Sequence, residues 1–76
     1  MNTNYVITFT WDEEARVWIA TSADVRGLVL EHESFDALVQ EVCFAVPELL
    51  EFENKLNSDI SLVFSVCRQE RLACSG

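Results

Sequence analysis

His32 stands between Glu31 and Glu33, and side chains of these types can hold a divalent cation or move protons. In an extended strand, successive side chains point to opposite faces, so the three cannot converge without a bend. A surface or capping imidazole is the expected role. The stretch "WDEEA", residues 11 to 15, sets three carboxylates on one turn. Paired-carboxylate hydrolysis needs a cleft between the two acids, and 76 residues leave little room for one. Cys43, Cys67 and Cys74 have no nearby Cys or His in sequence. Cys43 is expected as an apolar filler on a helix, Cys67 as a sheet residue and Cys74 as part of a tail. A thiol buried in apolar surroundings is unreactive. No repeated Gly motif is present to cradle a phosphate, and a single His excludes two-His metal sites and relays. No catalytic, cofactor-binding or metal-ligating residue is assigned, no cofactor is expected, and the chain is read as a non-enzyme.

The remaining chemistry is that of a binding surface. Thirteen acidic side chains against five basic ones give a formal charge of −8. Between Gly27 and Asn54 there is no Lys or Arg, while Glu31, Glu33, Asp36, Glu41, Glu48, Glu51 and Glu53 all fall there. Such a field repels phosphate backbones, which argues against direct nucleic-acid binding. It attracts a basic partner and speeds the encounter. The simplest alternative is that these carboxylates keep an apolar mini-domain in solution. The candidate partner-binding residues are Glu31, Glu33, Asp36, Glu41 and Phe44, together with Trp11 and Trp18.

These residues must be positioned by regular elements. "YVITFTW", residues 5 to 11, is β-branched and aromatic, a composition suited to a pleated surface. Tyr5, Ile7, Phe9 and Trp11 share one face of it. After a polar turn, "RVWIATS", residues 16 to 22, returns as a second strand of an antiparallel hairpin. Gly27 is the sole internal glycine and turns the chain into a third short strand over residues 28 to 32. Ser34 is an N-cap candidate, and Asp36 suits the positive end of the following helix. At 100° per residue, Phe35, Leu38, Val39, Val42 and Val46 share one side, with Cys43 and Ala45 at its margins. Phe44 falls among the polar residues on the other side. Pro47 is expected to kink the helix or to begin a separate segment. "KLNSD" reads as a loop. From residue 60, Ile60, Leu62, Phe64 and Val66 alternate with Ser61, Val63, Ser65 and Cys67, a half-buried strand with the first set toward the helix.

The elements add up to a two-layer α+β domain, β-β-β-α-β, with a four-stranded, mainly antiparallel sheet and one kinked helix on one face. One domain spans residues 1–76, with an ordered core over about 4–68 and a tail over 69–76. One helix covers one sheet face, and 50% apolar residues is generous for so short a chain. The open face therefore calls for another molecule, and a homodimer or higher oligomer is expected. No run approaches the ~20 apolar residues of a membrane span. The amino terminus lacks a basic region followed by an apolar run. With an odd number of cysteines, this points to a reducing, cytoplasmic setting.

The segment "WDEEARVWIATSADVRGLVLEHESFDAL", followed by "PELLEFEN", resembles a small bacterial family of uncharacterised domains grouped with the HicB-like antitoxins. Asp24, Gly27, Glu33, Ser34 and Ala37 occupy matching positions, and the likeness runs from about residue 5 to 67. The resemblance implies a truncated ribonuclease-H-like domain that blocks a small basic RNA-cleaving toxin and self-associates through its sheet. HicB antitoxins usually add a carboxyl-terminal DNA-binding element. This sequence stops after its last strand, so operator binding is not expected. The rival expectation is a stand-alone homo-oligomeric scaffold or small-ligand binder. A thiol-based redox sensor ranks last.

Overall fold

The computed structural model describes residues 3–53 and 59–73. Its elements run β1 (Thr3–Asp12), β2 (Val17–Thr21), β3 (Val29–His32), α1 (Phe35–Phe52) and β4 (Ile60–Cys67). The sheet order is β3-β2-β1-β4. β1–β2 and β2–β3 are antiparallel, whereas β4 joins the outer side of β1 in parallel. The sheet is thus mixed, and the α+β, β-β-β-α-β architecture matches the expectation. A parallel return needs a crossover connection, and α1 supplies it.

Register settles which side chains share a face. Phe9 lies opposite Ala20 and Trp11 opposite Trp18. Tyr5, Ile7 and Phe9 lie beside Leu62, Phe64 and Val66. All of these belong to the face that carries the helix, because Tyr5, Ile7, Phe9 and Ala20 join the buried core with Leu38, Val42, Val46 and Leu50. The four helix residues follow one another at a spacing of four, a single row down the helix. Burying a Phe, Leu, Ile or Val side chain contributes about 1.5–3 kcal/mol, so this row and the three β1 residues dominate the cohesion of the domain. Phe35, Val39, Ala45 and Leu49 flank the row at partial burial.

Local chemistry accounts for the ends of the elements. In the β1–β2 hairpin, Oδ1 of Asp12 accepts the Glu14 and Ala15 amides at 3.0 and 3.1 Å. The Asp12 carbonyl accepts the Arg16 amide at 2.8 Å. Arg16 closes this loop at φ 59, a left-handed conformation that a non-glycine residue adopts at a cost of roughly 1–2 kcal/mol. At the next turn, the Leu28 amide reaches the Val25 carbonyl at 3.3 Å, and Gly27 takes φ 85. That is the third position of a type II turn, which demands positive φ. A Cβ there would meet only Leu49 Cδ2 at 3.8 Å, so the backbone angle, rather than space, calls for glycine.

Ser34 caps the helix through its hydroxyl, which accepts the Ala37 amide at 3.2 Å. His32 accepts the Ser34 amide on Nδ1 at 2.9 Å, the capping role expected of it. The helix continues through Pro47 to Phe52, so of the two alternatives expected at that proline the separate segment does not form. Two details depart from expectation. Cys43 is exposed instead of filling the core, because the buried row passes one position away, at Val42. Phe64 and Val66 do face the helix side, yet they stay 38% and 54% exposed. Burial falls off along the strand: Ile60 and Leu62 at its start pack against the core, whereas the residues from Val63 onward are exposed. Most of the expected "KLNSD" loop, and Cys74, lie outside the described residues.

Candidate protein-binding surface

On its outer face, α1 carries Phe44 at 72% exposure. Together with Leu30 from β3 and Ala37, Gln40, Glu41 and Ala45, it lines a shallow groove of about 500 Å³. The groove exists because helical spacing sets residues 37, 41, 44 and 45 on neighbouring turns, while β3 ends the sheet beneath them. No Lys or Arg lies on the helix, so the local field is negative. An aromatic side chain inside such a rim is the kind of anchor that dominates protein–protein affinity.

A second aromatic feature occupies the hairpin end of the helix-bearing face. Ring centroids follow one another from Phe64 to Phe9 (5.0 Å), Phe35 (5.0 Å), Trp18 (5.1 Å) and Trp11 (5.4 Å). Tilted and edge-on contacts at such distances are the favoured aromatic geometries. The series ends under two guanidinium groups, Arg68 at 4.7 Å and Arg16 at 5.6 Å from the Trp11 ring. Arg68 also approaches Trp18 at 5.9 Å and pairs with Glu70 at 2.9 Å. Glu13 accepts the Trp11 indole N–H at 2.7 Å and pairs with Arg16 at 2.9 Å. The indole hydrogen bond, followed by the Arg16 charge, holds the Glu13 carboxyl below its ordinary value of 4.5. Both ion pairs are exposed and contribute little to stability.

The opposite sheet face carries no helix. Val6 lies beside Val63, Thr8 beside Ser65 and Thr10 beside Cys67, with Ile19 and Thr21 farther along. This face is small and mildly apolar.

The structure separates the candidate residues into groups. Glu41 and Phe44 share the groove. Glu33 and Asp36 are exposed around the N-cap. Glu31 pairs with Ile19 and so faces the open side, away from that groove. Trp11 and Trp18 lie across from one another on the helix-bearing face, so the uncovered face carries neither. Gly27 occupies its turn, and Pro47 lies within the helix.

Sequence reasoning passed over Ser22 and the role of Asp24. The Ser22 hydroxyl donates to the Val6 carbonyl at 2.6 Å and accepts the Asp24 and Val25 amides at 3.0 and 3.1 Å. Oδ2 of Asp24 accepts the Val6 amide at 2.8 Å. Two polar residues directly after a β-branched strand were the available signal, since Ser and Asp often bind neighbouring backbone in turns. Arg68 was also missed, although it continues the alternation of Leu62, Phe64 and Val66.

Among the described residues, no three His, Cys, Asp or Glu side chains gather to hold a metal ion. No helix among them is long and apolar enough to cross a membrane. Of solved structures, the chain is similar to the crystal structure of hypothetical protein TTHA1013 from the extremely thermophilic bacterium Thermus thermophilus. The two are 33% identical with a TM-score of 0.79, covering 91% of this chain and 99% of that one. No curated protein matches. Residues 4–74 match the family described as Domain of unknown function (DUF1902). With almost its whole length matched, the chain belongs to that family.

Proposed function

We propose that this chain is a non-catalytic protein-binding domain, antitoxin-like and grouped with the HicB-like proteins, that neutralises a small basic RNA-cleaving protein by covering it. The observation that carries this reading is Phe44, exposed within a groove beside Glu41 on a helix without a single basic residue. Opposite charge speeds the encounter, and a desolvated aromatic anchor supplies most of the hold. Glu33 and Asp36, at the start of the same helix, extend the acidic rim, while Glu31 lies on the other side of the sheet. The setting is cytoplasmic, and the domain self-associates through its sheet.

The test is co-expression with the short, Lys-rich product of an adjacent gene, followed by titration calorimetry at low salt. A stoichiometric complex is expected, weakened about tenfold or more by Phe44→Ala and also by Glu41→Lys. Absence of a complex, or a complex indifferent to Phe44→Ala, refutes the reading. The open sheet face favours a second reading, a homo-oligomeric scaffold or small-ligand binder. It would leave the calorimetric experiment silent while an assembly persists.

A further inference from the structure

Among the described residues, β4 is the outer strand of the sheet on its side. Its eight residues pair in unbroken register with β1, and no strand of the described chain lies beyond it. From Ile60 to Cys67 it contains no charge and no proline, and its register skips no residue. Charged side chains, proline and bulges are the usual devices that keep sheet edges from pairing. The opposite edge, β3, is short and includes Glu31. β4 is also apolar on both sides: Phe64 and Val66 are half-exposed toward the helix layer, and Val63 is 47% exposed on the open side. A molecule laid on one sheet face would cover only one of these sets. A strand added alongside covers both.

We infer that β4 pairs antiparallel with β4 of a second copy, about a two-fold axis perpendicular to the sheet. The inference rests on the self-association proposed above and names its surface. Charge selects the occupant. Two molecules of net charge −8 repel over most approaches, and the uncharged edge is where close contact adds no like-charge pair. A two-fold axis brings the same uncharged strand from the partner, places both helices on one side, and continues the apolar row of Phe64 and Val66 across the junction. It also uses up both β4 edges, so the assembly closes instead of growing. A single strand edge is narrow beside the about 800 Å² per partner of a standard interface, so the dimer should dissociate on dilution.

Sedimentation equilibrium of the intact chain over a wide concentration range tests this. The wild type is expected to reach twice 8.7 kDa at the concentrated end. Val63→Lys and Val66→Lys, each at a half-exposed position, should remain at 8.7 kDa with unchanged far-ultraviolet circular dichroism. Val29→Lys on the other edge should still dimerise, as should Val6→Lys on the open face. A wild type that stays monomeric throughout overturns both the self-association and its surface. A dimer that survives both β4 substitutions, or that only Val6→Lys breaks, overturns the edge assignment and leaves self-association standing. Amide exchange of the wild type gives an answer independent of any variant. Amides of residues 62–67 that point away from β1 should be protected in concentrated samples and exchange freely on dilution. Equal exchange at both concentrations refutes the pairing.

Discussion

The indole of Trp11 is held from several directions at once: Glu13 at its N–H, Arg68 and Arg16 over its ring, and Trp18 at its edge. Cation–π contacts at exposed sites contribute about 0.5–1 kcal/mol each, so the cluster positions the end of β4 more than it stabilises the fold. Its acid behaviour follows from Glu13. The folded carboxyl titrates below 4.5, so its contribution is present above that value and lost as pH falls through the lowered pKa. The Trp11 indole proton, followed by NMR during acidification, should shift with a midpoint below 4.5. Glu13→Gln should remove that transition. A midpoint at or above the ordinary carboxylate value would mean that the indole bond does not hold in solution. "WDEE" announced a polar turn in the sequence. That one of its acids turns back onto the preceding Trp depends on the left-handed Arg16 closing the loop.

At the scale of elements, β1 extends beyond its hairpin partner. β2 stops at Thr21, paired with Thr8, so Val6 would face no strand on that side. Ser22 and Asp24 take over, meeting the Val6 carbonyl and amide with side-chain oxygens. At a partly exposed site such as this, a hydrogen bond contributes about 0.5–1.5 kcal/mol net. Ser22→Ala should lower unfolding free energy by about that amount in urea titrations, and Asp24→Ala should speed exchange of the Val6 amide. Slow exchange in Asp24→Ala would show that another group satisfies Val6. The helix was the most legible element. Leu38, Val42 and Val46 follow from periodicity alone, and Ser34 from its cap chemistry. The Ser22–Val6 bond spans sixteen residues, and no local pattern carries such a contact.

The whole molecule combines strong negative charge with uneven burial. The β4 side keeps apolar surface on both faces, at Val63 and at Phe64 and Val66, and the acidic groove opens at the far edge, beside Leu30 of β3. Two binding events are proposed at these opposite margins, and they should respond oppositely to salt. Screening acts over about 10 Å at 0.1 M ionic strength. Raising salt should therefore strengthen copy-to-copy association of the −8 chains and weaken capture of a basic protein. Parallel sedimentation and calorimetry across a salt series would check this. If both events weaken together, the copies do not meet through an uncharged edge.

Order, type and approximate bounds of the elements were written in the sequence, because alternation, helical spacing, a capping serine and one glycine are local signals. So was the outward position of Phe44, which is a matter of angle around a helix. Three things were decided only in three dimensions. Pairing register put both tryptophans on the helix-bearing face, since a shift of one residue would have reversed them. The parallel seat of β4 beside β1 made it an edge. The point along β4 at which the core packing ends left Phe64 and Val66 half-exposed, although they do lie on the helix side as the alternation set them. Each depends on where distant segments come to rest against one another, which no periodicity within a single segment encodes.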